Sequence, residues 1–386
     1  MAETKIKTLF ILPDLSGNGA VRATLNVLRH LDRRQFEIIL FVLARRGACL
    51  SEVPSDIKLV VAHKRRRYES ISFKYLMPYY VAKLLWEASS CDIIIGASEL
   101  RPAYLAYAAA VVLRKPSVGW VQVPLDRWLK QEARYWHNIA SRLIYPRLTS
   151  VVCVSKACKQ SMAKVARIMP ERLRVIYSTS EPTSIIEKSK EQLPDWAIDV
   201  IKKPTLIAIG RMSYEKGFDL LIRAHAKVLK KGIDHNLVIL GSGSLKGELQ
   251  DLSDHLSVSN SVFMPGYVNN PYPLLRNATA FVLSSRYEGF GAVIFEALSL
   301  GTPVVATACA GPTEILSDGE NGILVLPGDV NSLADGMSKI LSNIELREKL
   351  ATPDMEPLRR FSLENVVLQW EKLLMEIGRY ECKNYT

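Results

Sequence analysis

The sequence has few cysteines and no metal-binding signature. Its six cysteines are scattered over 386 residues, and the closest pair, Cys153 and Cys158, has no second pair at metal-ligand spacing. We therefore expect free thiols, without a disulfide framework or a zinc site. The sequence also has no Asp-x-Asp pair of the kind that holds a divalent ion beside a pyrophosphate. We expect no metal and no cofactor.

Long apolar runs are also missing. The longest candidate, Ala103 to Leu113, is cut off by Arg101 and Arg114 and is too short to span a bilayer, so we interpret it as a core helix. The first residues, MAETKIKTLFILPD, contain a strand-length apolar part and no cleavage-like stretch. We expect no signal peptide and a cytoplasmic protein.

The charge is divided unevenly along the chain. The formal net charge is +11, but residues 1–180 hold 29 Lys and Arg against 13 Asp and Glu, whereas residues 181–386 hold 21 against 26. A basic half suits nucleic acid, anionic lipid or an anionic substrate. A basic nucleic-acid-binding protein is therefore an alternative. The chain lacks a zinc pattern and an RNA-binding aromatic signature, which disfavours it, whereas salt-dependent binding to RNA would support it.

Apolar strand-length runs alternate with helical stretches in both halves, which predicts α/β architecture with doubly wound parallel sheets. The chain is 48% hydrophobic, and its 386 residues exceed the usual length of a single domain built on one sheet. We therefore expect two domains. We predict domains over residues 1–180 and 204–361, a polar linker over 181–203, and a final helix within 362–386. The predicted strands of the first domain begin near Thr8, Phe36, Ile57, Ile93, Ser117, Val151 and Arg174, and those of the second near Thr205, Leu237, Ser261, Ala280 and Thr302.

The densest pattern is SSRYEGFGAVIFEALSLGTPVVA, from Ser284 to Ala306. Two carboxylates, Glu288 and Glu296, flank a turn in which Gly289 and Gly291 allow close approach of backbone N–H groups to a ligand. The run from Gly291 to Leu300 is predicted to be a helix whose positive N-terminus faces an anion. Carboxylates in such a turn suit sugar or ribose hydroxyls.

A second element, IGRMSYEKGF, follows the predicted strand Thr205 to Ile209. Gly210, Arg211 and Lys216 would then lie at the carboxyl edge of a parallel sheet, where such sheets bind ligands. Arg211 offers a rigid fork and Lys216 a mobile point charge, so together they could hold a pyrophosphate from two sides.

The two glutamates in their EGFG…EA…GTPVVA frame, together with G-R-x-x-x-x-K-G, resemble the donor site of the family-4 retaining glycosyltransferases. That resemblance covers residues 204–330 strongly and the remainder loosely. It implies the GT-B fold, in which two Rossmann-like domains face a cleft and a C-terminal helix packs back across both. It implies that Arg211, Lys216 and Glu288 are the catalytic residues: Arg211 and Lys216 grip the nucleotide diphosphate, and Glu288 holds hydroxyls of the transferred sugar. It also implies that Glu296 holds the ribose. The other donor contacts that it implies are Gly17, Gly19, Gly210, Gly243, Tyr267, Gly289, Phe290 and Gly291.

The first half departs from the family pattern at two places. Its glycine loop is Gly17-Asn18-Gly19-Ala20-Val21, with Val21 where relatives have an acidic residue. The acceptor pocket of relatives often contains a histidine, but this chain has WVQVPLD, which leaves Gln122 or Asp126 as the candidate acceptor-binding residue.

The resemblance implies a metal-independent, retaining transfer of a hexose or N-acetylhexosamine from a nucleotide diphosphate sugar, with a UDP-sugar preferred to a GDP-sugar. A nucleotide-sugar epimerase or a soluble disaccharide synthase of the same fold is the alternative among enzymes. Aromatic residues interleave with cations at Lys64–Arg67 and between Arg127 and Arg147. We therefore expect peripheral binding to the anionic inner face of the plasma membrane and a lipid-linked glycan or glycolipid acceptor.

Overall fold

A computed structural model describes residues 5–63, 77–131 and 135–382 of the chain. The basic cluster Lys64–Arg67, with Tyr68, Phe73 and Tyr75, lies outside the described residues, as does Arg134. The chain divides into two compact units, one formed by Met1–Thr179 with Arg360–Thr386 and the other by Ser180–Arg359.

The first unit contains a seven-stranded, wholly parallel sheet in the order β3-β2-β1-β4-β5-β6-β7. Its strands are β1 (Ile6–Leu12), β2 (Phe36–Ala44), β3 (Lys58–His63), β4 (Ile93–Gly96), β5 (Ser117–Val121), β6 (Ser150–Cys153) and β7 (Leu173–Val175). Its helices are α1 (Gly19–His30), α2 (Met77–Ser89), α3 (Arg101–Leu113), α4 (Leu125–Gln131), α5 (Tyr135–Ile144), α6 (Lys156–Ala166) and the last helix of the chain (Leu363–Cys382).

The second unit contains a six-stranded parallel sheet in the order β10-β9-β8-β11-β12-β13. Its strands are β8 (Thr205–Ile209), β9 (Asn236–Leu240), β10 (Val262–Gly266), β11 (Ala280–Leu283), β12 (Val304–Thr307) and β13 (Ile323–Val325). Its helices are α7 (Pro182–Lys188), α8 (Asp195–Val200), α9 (Phe218–Lys230), α10 (Lys246–His255), α11 (Tyr272–Asn277), α12 (Ala292–Ser299), α13 (Ala310–Ile315), α14 (Val330–Ser342) and α15 (Ile344–Ala351). The predicted doubly wound parallel sheets are confirmed.

Strand order reverses once in each sheet, between β1 and β4 in the first unit and between β8 and β11 in the second. At such a point the connections leave the carboxyl edge of neighbouring strands in opposite directions, which opens a crevice for a ligand. The loops after these four strands are therefore the places where the fold itself predicts binding.

The last helix, here α16 (Leu363–Cys382), packs on the first unit. The ring of Trp370 is buried 4.5 Å from that of Trp120 and 6.3 Å from that of Phe10, centroid to centroid. The Glu371 carboxylate accepts a hydrogen bond from the backbone N–H of Asp32 at 2.9 Å. Although 180 residues of the second unit intervene in sequence, this helix completes the core of the first.

The predicted linker, residues 181–203, contains α7 and α8 and belongs to the second unit, where α7 contacts α11 and α12. The predicted core helix at Ala103–Leu113 is α3. It buries Ala103, Ala106 and Ala110 but leaves Val111 and Val112 exposed, so the prediction is correct for one face and wrong for the other.

Cys49, Cys91, Cys153, Cys158 and Cys309 are all buried, and none of these five is in a disulfide. Burial raises the pKa of the Cys153 thiol to about 12 and keeps it inert as a nucleophile near neutrality.

Two buried histidines form a neutral chain of hydrogen bonds beside β9 and β10. His235 Nδ1 lies 2.9 Å from the carbonyl oxygen of Ile233, and His225 lies 2.8 Å from both His235 Nε2 and Ser261 Oγ. A carbonyl oxygen can only accept, so His235 Nδ1 donates and its Nε2 accepts from His225. Burial, with the neighbouring His235, lowers the pKa of His225 to about 3.

This depressed pKa predicts an acid-sensitive second unit. His225 has a pKa of 6.5 in the unfolded state and of about 3 in the folded state. Its neutral form therefore contributes fully to the free energy of unfolding above pH 6.5, and this contribution declines as the pH falls. The decline is up to about 1.4 kcal/mol per pH unit. In urea unfolding between pH 7 and 5, the wild type should lose more stability than His225→Gln, which is less stable at pH 7 but has no imidazole to protonate. Equal losses in the two proteins would contradict this account.

Candidate functional site

The predicted donor-site residues of the second unit follow the strands at which its sheet reverses. Gly210 and Arg211 come directly after β8, and Ser284 to Gly291 come directly after β11. These two strands are neighbours in the sheet, so their following loops leave the same edge side by side.

Several contacts tie the two loops together. Ser284 Oγ donates to the carbonyl oxygen of Lys216 at 2.9 Å, and the N–H of Arg286 donates to the carbonyl oxygen of Glu215 at 2.8 Å. Gly217 has φ +62°, and a Cβ there would lie 2.3 Å from the carbonyl oxygen of Ser284. Glycine is required at this position because the backbones approach so closely.

The central contact is an ion pair between Lys216 and Glu288. Lys216 Nζ lies 2.6 Å from Glu288 Oε2, and the two side chains are only 22% and 14% exposed. The hydroxyl of Ser285, which is itself buried, donates to the same carboxylate oxygen at 3.2 Å. The residue predicted to hold the pyrophosphate, Lys216, and the residue predicted to hold the transferred sugar, Glu288, therefore meet at one point of the sheet edge.

Arg211 forms an ion pair with Glu215, the residue before Lys216. Glu215 was not among the predicted site residues. Arg211 Nη2 is 3.0 Å from Glu215 Oε1, which also accepts a hydrogen bond from Ser213 Oγ at 2.5 Å. Burial by itself would raise the pKa of Glu215, but the bond from Ser213 and the charges of Arg211 and Lys216 bring it below its usual value. The Arg211 side chain is 63% exposed, so its guanidinium is oriented by Glu215 while most of it faces solvent.

A second pair that the sequence reasoning missed joins α9 to the loop after β11. Arg286 donates to both oxygens of Asp219, at 2.7 and 2.6 Å, and to the carbonyl oxygen of Tyr214 at 2.9 Å. Its guanidinium lies 4.2 Å from the centre of the Tyr214 ring. A bidentate pair of this kind fixes geometry as well as energy. The position of Arg286 inside the SSRYEGFG motif could have indicated a role for it. No sequence pattern marks its partner Asp219, which lies 67 residues earlier.

The glycine turn after β9 packs directly on the Arg211 loop. The Met212 N–H donates to the carbonyl oxygen of Ser242 at 3.0 Å, and the Leu245 N–H donates back to that of Met212 at 3.2 Å. A Cβ on Gly243 would lie 2.1 Å from the Met212 carbonyl oxygen, so Gly243 serves this close packing. Tyr267 follows β10 after Gly266, whose φ is +98°, and is about half exposed.

Helix α12 begins at Ala292, one residue after the predicted start at Gly291, which is its N-cap residue and has φ +86°. Glu296 lies in this helix and accepts a hydrogen bond from Ser180 Oγ at 3.1 Å. Phe290 is buried, and Gly311 packs so closely on its backbone that a Cβ would lie 2.5 Å away. The Phe290 side chain therefore belongs to the core. Gly289 is the single residue between Phe290 and Glu288 in the sequence.

The remaining predicted residues belong to the first unit. Gly17, with φ +78°, ends the loop after β1, and Gly19 is the first residue of α1, whose cap is the Asn18 side chain. Asp14 in this loop is buried and pairs with Arg46 at 2.8 Å. Val21, at the position where the family resemblance implies an acidic residue, is 1% exposed and contributes to the core.

Gln122 follows β5, and its backbone N–H lies 3.4 Å from Glu99 Oε2, in the loop after β4. The side-chain nitrogen of Gln122 is buried and has no hydrogen-bond partner among the described residues. Leu100, next to Glu99, has φ +59° and donates its N–H to the Tyr145 hydroxyl at 2.9 Å. No sequence pattern singled out Glu99, because the unusual backbone conformation of Leu100 beside it is a property of the folded loop.

Asp126 lies in the first turn of α4 and is paired with α6. Ser161 Oγ donates to Asp126 Oδ1 at 2.5 Å and accepts the Asp126 N–H at 2.9 Å. These contacts give Asp126 a part in joining the two helices.

Across the described ranges, no group of three or more His, Cys, Asp and Glu side chains is placed to hold a metal ion. Over the same part of the chain, no helix combines the length and apolar character needed to cross a membrane.

Family models match both halves of the chain. Residues 17–179 match Glycosyltransferase Family 4, and residues 195–352 match Glycosyl transferases group 1. A relative from Campylobacter jejuni, N-acetylgalactosamine-N,N'-diacetylbacillosaminyl-diphospho-undecaprenol 4-alpha-N-acetylgalactosaminyltransferase, is 31% identical over 252 residues, covering 64% of this chain and 67% of the relative. The chain belongs to the family-4, group 1 glycosyltransferases.

An uncharacterised glycosyltransferase of Methanocaldococcus jannaschii is 32% identical over 225 residues, which is 56% of this chain and 57% of that protein. The chain thus spans little more than half the length of this relative. Among solved structures, Anabaena HepE in complex with UDP and glucose has a TM-score of 0.81 at 21% identity, covering 96% of this chain and all of HepE. The fold is GT-B.

The packing of Gly243 on Met212 predicts a site-specific effect of a single methyl group. Gly243→Ala should destabilise the second unit by about 1–3 kcal/mol, because the blocking atom is backbone and must shift. Gly247→Ala is the matched control: it lies in α10, and a Cβ there meets nothing within 4 Å. Urea unfolding measures both. Equal stability of Gly243→Ala and Gly247→Ala would contradict the packing described here.

Proposed function

We propose that this protein is a retaining glycosyltransferase that moves a hexose or N-acetylhexosamine from a UDP-sugar to a lipid-linked glycan or glycolipid. The observation that carries the proposal is the Lys216–Glu288 pair, with Arg211 beside it, at the reversal point of the second sheet. A cation and a carboxylate held together there suit a substrate that carries both phosphate and sugar hydroxyls.

In the proposed mechanism, the bond between the sugar and the β-phosphate breaks and the leaving UDP gains negative charge. Arg211, Lys216 and the N-terminus of α12 stabilise that charge, which they do best in the transition state. The acceptor hydroxyl attacks from the same face, and its proton passes to the departing phosphate oxygen. The new glycosidic bond then retains the anomeric configuration.

Binding of the donor is assigned to named groups of the second unit. Glu296 accepts hydrogen bonds from the ribose hydroxyls, in place of or together with the bond from Ser180. Glu288 accepts from hydroxyls of the transferred sugar, and backbone N–H groups at Gly289 and Gly291 meet the phosphates. The complex of HepE with UDP and glucose supports uracil as the base of the donor nucleotide.

The acceptor is proposed from chemistry and from one relative. The name of the Campylobacter jejuni relative describes a glycan on diphospho-undecaprenol, an anionic isoprenoid lipid. The first 180 residues carry the excess of basic charge, which suits such an acceptor and an anionic membrane surface. We place the protein at the cytoplasmic face of the plasma membrane as a peripheral protein.

This function predicts that two substitutions slow transfer strongly without unfolding the chain. Arg211→Ala and Glu296→Ala should each lower the transfer rate by roughly 10²–10³, since each removes a charged hydrogen bond worth about 3–4 kcal/mol to the bound donor or the leaving group. Arg223→Ala and Glu248→Ala, exposed positions on α9 and α10, are matched controls that should keep wild-type rates. Rates are measured as UDP release with acceptor-bearing membrane extract, and folding by thermal unfolding.

Near-native turnover of both site variants would overturn the assignment. Products identify the reaction class: an interconverted UDP-sugar without an acceptor product would indicate an epimerase, and a free disaccharide would indicate a soluble synthase.

The same assay tests metal independence. Because Arg211, Lys216 and a helix end supply the positive charge, initial rates should survive EDTA, and an absolute need for added Mg²⁺ or Mn²⁺ would contradict the mechanism.

A further inference from the structure

Three neighbouring helices of the first unit leave large apolar side chains in solvent. These exposed residues, named here the apolar face, are Tyr79 and Trp86 on α2, Val111 and Val112 on α3, and Trp136, Ile139 and Leu143 on α5. Trp86 is 79% exposed, Val112 64% and Leu143 53%. Single exposed apolar residues are ordinary, but a cluster on adjoining elements marks an interaction surface.

The three helices are joined through α3. Helices α2 and α3 share one core cluster, to which they contribute Tyr80, Leu84, Ala106 and Ala110. Tyr104 of α3 meets α5, since its ring lies 6.0 Å from that of Trp136 and its hydroxyl lies 3.0 Å from Ser141 Oγ. The exposed side chains therefore belong to one packed layer.

On α2 and on α5, the spacing places the exposed apolar residues of each helix on one side of that helix. On α5, Trp136, Ile139 and Leu143 recur at i, i+3 and i+7, which places them on one side of the helix. On α2, Tyr79 and Trp86 are separated by two turns. The structure also separates them from the other interleaved aromatics, because Tyr80 and Tyr145 are buried and belong to the core.

The charge around the apolar face has one sign. Helices α3 and α5 contain no Asp or Glu, and the single acidic residue of α2, Glu87, is 13% exposed and paired with Lys58 at 2.6 Å. Exposed arginines instead stand at the ends of these helices and on α5: Arg101, Arg114, Arg142 and Arg147. Apolar and aromatic side chains rimmed by cations are complementary to a bilayer with anionic headgroups.

We propose that the apolar face of α2, α3 and α5 is the surface by which this protein docks on an anionic lipid bilayer. The inference deepens the proposed function, because a lipid-linked acceptor lies at a membrane, but it is tested without any sugar transfer. Trp86, Trp136 and Leu143 enter the boundary between headgroups and acyl chains, and Arg101 and Arg142 contact lipid phosphates.

The test is co-sedimentation of the full chain with phosphatidylcholine vesicles, with or without phosphatidylglycerol. The wild type should bind only the anionic vesicles, and more weakly as salt rises. Trp86→Ser/Ile139→Ser/Leu143→Ser should lower partitioning about ten-fold or more. Arg101→Gln/Arg142→Gln should lower it about five-fold per arginine at low salt, which corresponds to roughly 1 kcal/mol each. The control, Leu326→Ser/Ile344→Ser, removes equally exposed apolar residues from the second unit and should bind as the wild type does.

Fluorescence distinguishes insertion from adsorption by charge alone. Lipids with brominated acyl chains should quench the wild type, and the quenching should fall in Trp86→Phe/Trp136→Phe while Trp196, in the second unit, keeps its emission. Each variant should also retain its UDP-induced rise in melting temperature, which shows that it is folded and that its donor site is independent of the apolar face.

Three results would overturn the inference: a wild type that ignores anionic vesicles at low salt, apolar-face variants that bind as well as the control, or no quenching by brominated lipid. If light scattering shows a wild-type dimer that the triple variant converts to a monomer without a change in lipid binding, the face belongs to a second copy of the chain and the inference is also wrong. Loss of vesicle binding with sugar transfer intact would leave the proposed function standing.

Discussion

The contact between Lys216 and Glu288 joins loops that are 72 residues apart in sequence, and the second unit is organised so that this contact can form. Strands β8 and β11 must be neighbours, and Gly217 must lack a side chain to let the loop backbones meet. Arg286, in the loop after β11, pairs with Asp219 of α9 and donates to the carbonyl oxygen of Tyr214 in the loop after β8. A substrate that binds to Lys216 therefore lies next to the Glu288 carboxylate, and one that binds to Glu288 lies next to the Lys216 ammonium group.

Much of this arrangement could be predicted from the sequence because it is local. Strand β8 and the start of α12 are specified by apolar runs and glycines within a few residues, and both lie where the sequence predicts them. Contacts between distant residues left no such signal. Asp219 appears as an ordinary charged residue until the fold places Arg286, 67 residues away, against it. The Val111–Val112 edge of α3 escaped prediction because an apolar run shows that a helix is hydrophobic but does not show which side is covered.

The two units differ in chemistry as well as in position along the chain. The second unit concentrates paired charges at one sheet edge, where Glu215 and Glu288 each meet a cation. The first unit combines excess positive charge with apolar side chains in solvent, and its core is completed by α16 from the far end of the chain. This division suits an enzyme that binds a soluble, highly charged donor with one unit and a membrane-borne acceptor with the other.

The most direct test of the central claim is a double-mutant cycle on donor affinity. Titration calorimetry measures the Kd of UDP and of a non-transferable UDP-sugar for the wild type, Lys216→Met, Glu288→Gln and the double variant. The account predicts that Lys216→Met weakens both ligands about 10- to 100-fold, as expected for a hydrogen bond to a charged group. Glu288→Gln should weaken the UDP-sugar more than UDP, and the two effects should be non-additive. An unchanged Kd for UDP in a folded Lys216→Met variant would contradict the account.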